Sequence, residues 1–218
     1  MSKLTLYFLP PSPPARAVLL LLRHLEIDVE VKIVDLHNGE QFTEKFLSLN
    51  PAHEVPVLVD GDFVLNESRA ILQYLANTRT TDKNLYPTEP KARARVDQRL
   101  SYDHVLFTRN TIVYRPILHG GEKQVNPEAR KNLEESLRVM DTFLENSKWI
   151  AGEHLTIADF SALATVSTIV EFGYNFAQHS NLQRWYTQCQ LLKGIAENNS
   201  GAVDLANFVK AKVDSAIF

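Results

Sequence analysis

Apolar and polar positions along the first third of the chain follow patterns that favour strands and helices in turn. Leu4–Leu9 predicts a strand, and the proline-rich segment Pro10–Pro14 separates it from an apolar helical run over Ala15–Leu25. Val29–Val34 is rich in β-branched residues and predicts a second strand. Because a helix separates the two strands, we expect a parallel pair joined by a right-handed crossover.

The next segment predicts two helices that flank a hairpin. Apolar residues recur at helical spacing over Glu40–Leu49, and a second helix is predicted over Glu67–Asn77. Between them, Val57–Val59 and Phe63–Leu65 flank a short polar turn, which is typical of a β-hairpin. The predicted order βαβαββα fills a small α/β domain over residues 1–78.

The rest of the chain has a different pattern. Residues 79–90 are polar and include two prolines, which is the composition of a linker. Residues 91–218 show helical periodicity without a competing strand pattern, so we expect a second domain that is all-α. The predicted helices of this domain are Lys91–Leu118, Glu128–Leu144, Ile157–Val170, Leu182–Ala196 and Ala202–Val213.

Composition narrows the classes of function. The 218 residues are 44% hydrophobic and 22% charged with a net charge of -3, typical of a folded protein and unfavourable for binding nucleic acid. The apolar run Ala17–Leu22 is far shorter than the roughly 20 residues that span a bilayer, so we expect neither a membrane partner nor a secretion signal. The single cysteine, Cys189, fits a reducing cytoplasm, and the histidine spacing predicts no metal site.

Ser12 is the first candidate for chemistry, because it lies between the first predicted strand and helix. A hydroxyl there either caps the helix or donates to a ligand thiolate at the helix N-terminus. A free thiol titrates near 8.5, so ~2 kcal/mol of thiolate stabilisation lowers its pKa by about 1.5 units and makes the anion dominant at neutral pH.

Two further segments have features that suit the backbone and charged ends of a peptide. Pro56 opens a predicted strand, and we expect the Val55-Pro56 bond to be cis, so that the Val55 backbone faces outward and can pair with an extended ligand. A plain structural turn is the alternative. Glu67 and Ser68 stand at the start of a helix, where backbone N–H groups suit a carboxylate and Glu67 suits an ammonium group. A simple helix cap is the alternative there.

Together, and ahead of an all-α half, these segments resemble the cytosolic glutathione transferases of the insect delta and epsilon classes, most closely the epsilon class. The resemblance covers essentially the whole chain and implies a thioredoxin-like first domain. It also predicts a capping box in the second domain, in which Thr156 caps a helix and Asp159 bonds back to the Thr156 N–H. The matching segments are Ser12–Arg16, Leu49–Pro56, Glu67–Ile71 and Leu155–Asp159.

The resemblance implies a role for each matching residue. Ser12 is then the hydroxyl that stabilises the glutathione thiolate, with Tyr7 as the first alternative. Gln41 stands where a histidine is common, and Asn66 stands where an aromatic residue is frequent. The implied glutathione-binding residues are Ser12, Gln41, His53, Val55, Pro56, Glu67, Ser68 and Arg69. The implied hydrophobic substrate site between the domains is lined by Pro14, Leu36, Phe107, Thr111, Tyr114 and Phe208.

The resemblance also implies a function. The expected protein is a cytoplasmic homodimer that conjugates the glutathione thiolate to hydrophobic electrophiles, in detoxification or endogenous metabolism. Glutathione is its co-substrate, and no metal is expected. A non-catalytic protein that sequesters apolar ligands, and a glutathione-dependent peroxidase or isomerase on the same scaffold, are the alternatives.

Overall fold

A four-stranded mixed sheet forms the first part of the computed structural model, which describes residues 3–218. Its strands are β1 (Leu4–Phe8), β2 (Val29–Ile33), β3 (Val57–Asp60) and β4 (Phe63–Asn66), arranged in the order β2-β1-β3-β4. β1 and β2 are parallel, with Leu4 opposite Val29, and β3 is antiparallel to both β1 and β4. The predicted parallel pair and hairpin are therefore confirmed.

Helices surround this sheet and make up the remainder of the chain, which confirms an α/β part followed by a helical part. The single helix predicted over Glu40–Leu49 is wrong: Glu40–Phe42 is a 3-10 turn, and Thr43 has an extended backbone that interrupts the helix and caps the next turn. The helices are α1 (Pro13–His24), α2 (Glu44–Leu47), α3 (Ser68–Thr78), α4 (Pro90–Gly120), α5 (Pro127–Phe143), α6 (Ile157–Glu171), α7 (Ser180–Cys189) and α8 (Ile195–Lys210).

The last two predicted helices are misplaced. α7 ends at Cys189, well before the predicted end, and α8 begins at Ile195, well before the predicted start. Gly194 separates them with a left-handed φ of +82°, and a Cβ added there would lie 2.5 Å from Arg23 Cβ. Gly194 therefore needs both a positive φ and a close approach to α1, and the apolar spacing of this segment reveals neither.

α1 is the element that joins the two parts of the molecule. Its residues from Ala15 to Leu22 are buried, because α1 packs against β1 and α3 on one side and against α6 and α8 on the other. α6 is buried from Ile157 to Ile169 and also packs against α4. The loop that leads into α1 consequently lies where the sheet meets the helical part.

The start of α6 is held by the capping box that the sequence predicts. Asp159 Oδ2 accepts from the Thr156 backbone N–H at 2.9 Å and from the Thr156 hydroxyl at 3.0 Å. Asp159 Oδ1 accepts from the Ile150 N–H at 2.9 Å and from Trp185 Nε1 at 2.8 Å. Complete burial raises the pKa of Asp159 to about 6, while these four hydrogen bonds oppose the rise.

Gly201 lets α8 approach the proline-rich loop before α1. A Cβ at this position would lie 2.1 Å from the Pro10 carbonyl oxygen and 2.5 Å from Arg16 Cδ. We expect Gly201→Ala to lower the free energy of unfolding by about 1–3 kcal/mol through overpacking, measured by urea denaturation. Gly120→Ala is the matched control, since its Cβ would meet Pro116 Cβ at an ordinary 3.8 Å. Equal stability of the two variants would contradict this close packing.

Candidate active site

Ser12 begins α1 as its N-cap. Its backbone is extended, with φ -76° and ψ 112°, and its Oγ accepts from the Ala15 N–H at 3.4 Å. A hydroxyl that accepts in this way keeps its own proton, which remains available for a ligand. Ser12 is half-buried, so a ligand can still reach its hydroxyl. The residue thus caps α1 and also offers a hydrogen-bond donor at the positive end of the helix.

Tyr7, the alternative hydroxyl, projects from the other face of the sheet. Leu6 and Phe8 pack into the core with α1, and side chains alternate along a strand. The Tyr7 ring instead lies edge-on to Phe46 of α2, with centroids 6.0 Å apart, in a small cluster that includes Val57. This placement favours Ser12 over Tyr7 as the group nearest the N-terminus of α1.

The segment before β3 has the backbone geometry expected of a ligand-binding edge. The Val55-Pro56 peptide bond is cis, as predicted. Val55 lies just outside the sheet, since the pairing of β3 with β1 and β4 begins at Val57.

Two asparagines brace this segment, and sequence reasoning gave neither of them a role. Asn50 is 1% exposed; its Nδ2 donates to the Glu54 carbonyl at 2.9 Å, and its Oδ1 accepts from the Ala52 N–H at 3.0 Å. Asn66 Nδ2 also donates to Asn50 Oδ1, at 2.8 Å. The polar residue at position 66 thus ties the end of β4 to the loop that carries Val55.

Glu67 and Ser68 form the N-terminus of α3. Glu67 is the N-cap residue, with a left-handed φ of +65°, and its exposed side chain makes no capping hydrogen bond. Ser68 is the first helical residue and is 4% exposed. Positive φ is uncommon for a residue other than glycine and concentrates at functional sites. Because the Glu67 carboxylate does not cap the helix, it stays free beside the N-terminus of α3.

Arg69 points away from that helix end and into α4. Its Nε donates to the Leu100 carbonyl at 3.0 Å, and its Nη2 pairs with Asp103 Oδ2 at 2.6 Å. Asp103 is 2% exposed and also accepts from the Ser161 and Thr165 hydroxyls of α6. Sequence reasoning missed this network; its local signal is the four-residue spacing of Ser161 and Thr165, two of the four hydroxyl residues of α6, which places both on one face of the helix.

Gln41 and His53 are brought to one side of the molecule. The His53 ring lies 5.0 Å from the ring of Phe42, which follows Gln41 in the chain, and His53 itself is exposed with φ +49°. Gln41 Nε2 donates to the Leu36 carbonyl at 3.4 Å, while its buried Oε1 has no partner among residues 3–218.

The residues predicted to line the hydrophobic site differ in exposure. Tyr114 is 7% exposed and lies 5.7 Å from Phe172 between ring centroids, and burial raises its pKa to about 12. Phe208 of α8 is 56% exposed. Pro14, Leu36, Phe107 and Thr111 are half-buried. Phe107, Thr111 and Tyr114 share one face of α4. The helix α4 also contacts α8, which carries Phe208.

Residues 3–218 contain no feature of a membrane-spanning helix or of a metal centre. No helix in that range is both long and apolar enough to cross a bilayer. Within the same range, no three His, Cys, Asp or Glu side chains are placed to hold one metal ion.

Comparison with known proteins agrees with this geometry. The glutathione S-transferase N-terminal domain family matches residues 2–77, and the glutathione S-transferase C-terminal domain family matches residues 90–190. Glutathione S-transferase D7 of Anopheles gambiae is 37% identical over 213 residues, which cover 95% of this chain and 97% of that protein.

Solved structures are similar over the same length. Unclassified glutathione S-transferase 2 of Bombyx mori has a TM-score of 0.93 at 40% identity, covering 98% of this chain and 100% of that one. A glutathione transferase homologue of Drosophila mojavensis, solved with bound glutathione, has a TM-score of 0.93 at 36% identity, covering 98% and 99%. Other similar structures belong to the delta and the epsilon classes. The chain described here therefore belongs to the glutathione S-transferase family.

Proposed function

We propose that this protein binds glutathione at the N-termini of α1 and α3 and conjugates its thiolate to a hydrophobic electrophile. The observation that carries the proposal is Ser12, a half-buried helix cap whose hydroxyl proton is free for a ligand. Donation to a thiolate favours the charged form of the thiol and lowers its pKa.

The contacts proposed for glutathione follow the residues around this hydroxyl. The free Glu67 carboxylate and the Ser68 N-terminal backbone suit the ammonium and carboxylate of the γ-glutamyl end. The Val55 backbone, set by cis Pro56, suits the cysteinyl peptide. Gln41 and His53 are proposed to hold the glycyl carboxylate. Arg69 is proposed to steady the start of α3 through its bonds to α4.

The chemistry needs few groups once the thiolate is formed. The thiolate sulfur forms a bond to the electrophilic carbon, and the electron pair leaves with the departing group or is taken up with a proton in an addition. Holding the two reactants together supplies much of the acceleration. The second substrate is proposed to lie against Pro14, Leu36, Phe107, Thr111, Tyr114 and Phe208. The Ser12 arrangement supports conjugation rather than passive sequestration of apolar ligands, which needs no thiolate donor.

Wider features of the protein are part of the same proposal. We propose a glutathione-binding domain over residues 1–78, a linker over 79–90 and a helical domain over 91–218, in line with α3 ending at Thr78 and α4 beginning at Pro90. We also propose a cytoplasmic homodimer that acts in detoxification or endogenous metabolism, since closed two-fold symmetry is the common arrangement of soluble oligomers.

A steady-state assay tests the proposed function directly. The purified protein is given glutathione with aryl halides, unsaturated aldehydes, hydroperoxides or a ketosteroid, and turnover is compared across the panel. We expect conjugation of at least one aryl halide or unsaturated aldehyde, because both offer an electrophilic carbon to a thiolate. S-methylglutathione is the matched control, since it lacks a free thiol and must give no conjugate. Binding of apolar acceptors with no turnover of any of them would contradict the proposal and favour sequestration.

A further inference from the structure

Arg16 is a buried cation without an anionic partner. It is 1% exposed, and its guanidinium donates only to neutral groups. Nη1 donates to the Asn198 carbonyl at 3.0 Å and to Asn198 Oδ1 at 2.6 Å, and Nη2 donates to the Ala164 carbonyl at 3.0 Å and to the Thr168 hydroxyl. Arg16 forms none of the ion pairs found in residues 3–218. Burying an unpaired charge is costly, so its presence here calls for a physical reason.

The position of Arg16 connects this charge with the candidate active site. Its backbone N–H donates to the Ser12 carbonyl at 2.9 Å, which places it one helical turn after Ser12. Its side chain passes the Pro10 carbonyl, because a Cβ on Gly201 would touch both that oxygen and Arg16 Cδ. The guanidinium therefore lies behind the loop that carries the Ser12 hydroxyl.

The groups around Arg16 leave its charge largely uncompensated. Burial raises the pKa of Tyr114 to about 12 and raises that of Tyr186, so both phenols are neutral at pH 7. Asp204 of α8 also acts on Arg16, but it is exposed and therefore screened by water. Burial lowers the pKa of Arg16 to about 9, and it remains a cation at neutral pH.

We propose that Arg16 is an electrostatic positioning residue, whose buried charge adds to the Ser12 hydroxyl and the α1 dipole in stabilising the glutathione thiolate. This inference rests on the proposed function, since it needs glutathione above the N-terminus of α1. One helical turn and the length of the side chain put the charge roughly 10 Å from the thiol. A unit charge at that distance in a medium of intermediate polarity shifts a pKa by about 0.5 to 1 unit.

Asn198 provides the test, because replacing Arg16 itself endangers the fold. Asn198→Asp sets a carboxylate beside the guanidinium and neutralises it. The Ser167 hydroxyl accepts from Asn198 Nδ2 at 2.9 Å and donates to the Leu163 carbonyl at 2.8 Å, so it has to exchange the Leu163 bond in order to donate to the new carboxylate. Asn198→Ala removes the acceptor but keeps the positive charge. Ser200→Asp is the matched charge control, since it adds a carboxylate at an exposed position of the same helix.

The thiol pKa of bound glutathione distinguishes an electrostatic role of Arg16 from a purely structural one. It is measured by the ultraviolet absorbance of the thiolate and by the pH dependence of turnover. We expect Asn198→Asp to raise that pKa by about 0.5 to 1 unit, and to lower turnover about 3- to 10-fold below the thiol pKa, without lowering the melting temperature. Asn198→Ala should lower the melting temperature but leave the thiol pKa in place, as should Ser200→Asp. A purely structural role of Arg16 predicts the opposite result for the thiol pKa. That pKa would then rise in Asn198→Ala and stay in place in Asn198→Asp.

Failure of this inference is distinguishable from failure of the proposed function. If the parent protein binds glutathione with a thiol pKa no lower than that of free glutathione, the proposed function itself is wrong. If the parent lowers the thiol pKa and Ser12→Ala raises it, but Asn198→Asp does not, only the role of Arg16 is overturned.

Discussion

Replacing Ser12 with alanine is expected to lower turnover at neutral pH by about 10- to 150-fold while leaving glutathione affinity largely intact. The structure places the Ser12 hydroxyl at the N-terminus of α1 with its proton unused by the cap. Losing a donor to a charged group typically costs ~1.5 to 3 kcal/mol, which corresponds to that fall in rate. Affinity is expected to survive because Val55, Glu67 and Ser68 are proposed to do most of the binding.

The pH dependence of the Ser12 variant gives the decisive measurement. The kinetic pKa of bound glutathione should rise toward its free value in Ser12→Ala, so that raising the pH restores much of the rate. Ser12→Thr retains a hydroxyl and a residue able to cap, and should keep a lowered thiol pKa. Tyr7→Phe should behave like the parent, since Tyr7 lies on the opposite face of the sheet from the residues that pack with α1. Unchanged turnover and thiol pKa in Ser12→Ala would reduce Ser12 to a helix cap.

The parts of the fold that the sequence predicts well depend on local patterns. β1, β2 and the β3–β4 hairpin follow from short β-favouring runs separated by turn residues. The break between α7 and α8 does not, because Leu191, Leu192 and Ile195 continue an apolar spacing that looks helical. Gly194, which precedes α8 with a left-handed φ of +82°, lies against Arg23, and this contact joins segments far apart in the chain.

The candidate site divides in the same way. Ser12, the cis Val55-Pro56 bond and the start of α3 at Ser68 belong to short local motifs; each alone also fits a plain cap or turn, and their occurrence together carries the resemblance. The groups that support them are invisible to local patterns, since Arg69 meets Asp103 on another helix and Arg16 meets Asn198 across 182 positions. A sequence motif therefore identifies the groups proposed to touch a ligand more readily than the groups that hold them in place.

Asp159→Ala should have the largest effect on stability, with an expected loss of about 3–5 kcal/mol in the free energy of unfolding. The completely buried carboxylate accepts hydrogen bonds from the Thr156 N–H and hydroxyl, the Ile150 N–H and the Trp185 indole. Alanine leaves these donors buried without an acceptor, and each unsatisfied group costs about 1–3 kcal/mol before the structure relaxes. The substitution thus frees the start of α6, the loop before it and α7 at once.

Asp141→Ala is the matched control for the Asp159 substitution. Asp141 Oδ1 accepts from the Leu182 N–H at 2.8 Å and its Oδ2 from Asn181 Nδ2 at 3.2 Å, so it also holds the start of a helix, but it is only half-buried. We expect its loss to cost about 0.5–2 kcal/mol, the usual range for a cap, in urea denaturation of both variants under one set of conditions. Equal losses for the two variants would show that the burial of Asp159 and its bonds to Ile150 and Trp185 add nothing to an ordinary helix cap.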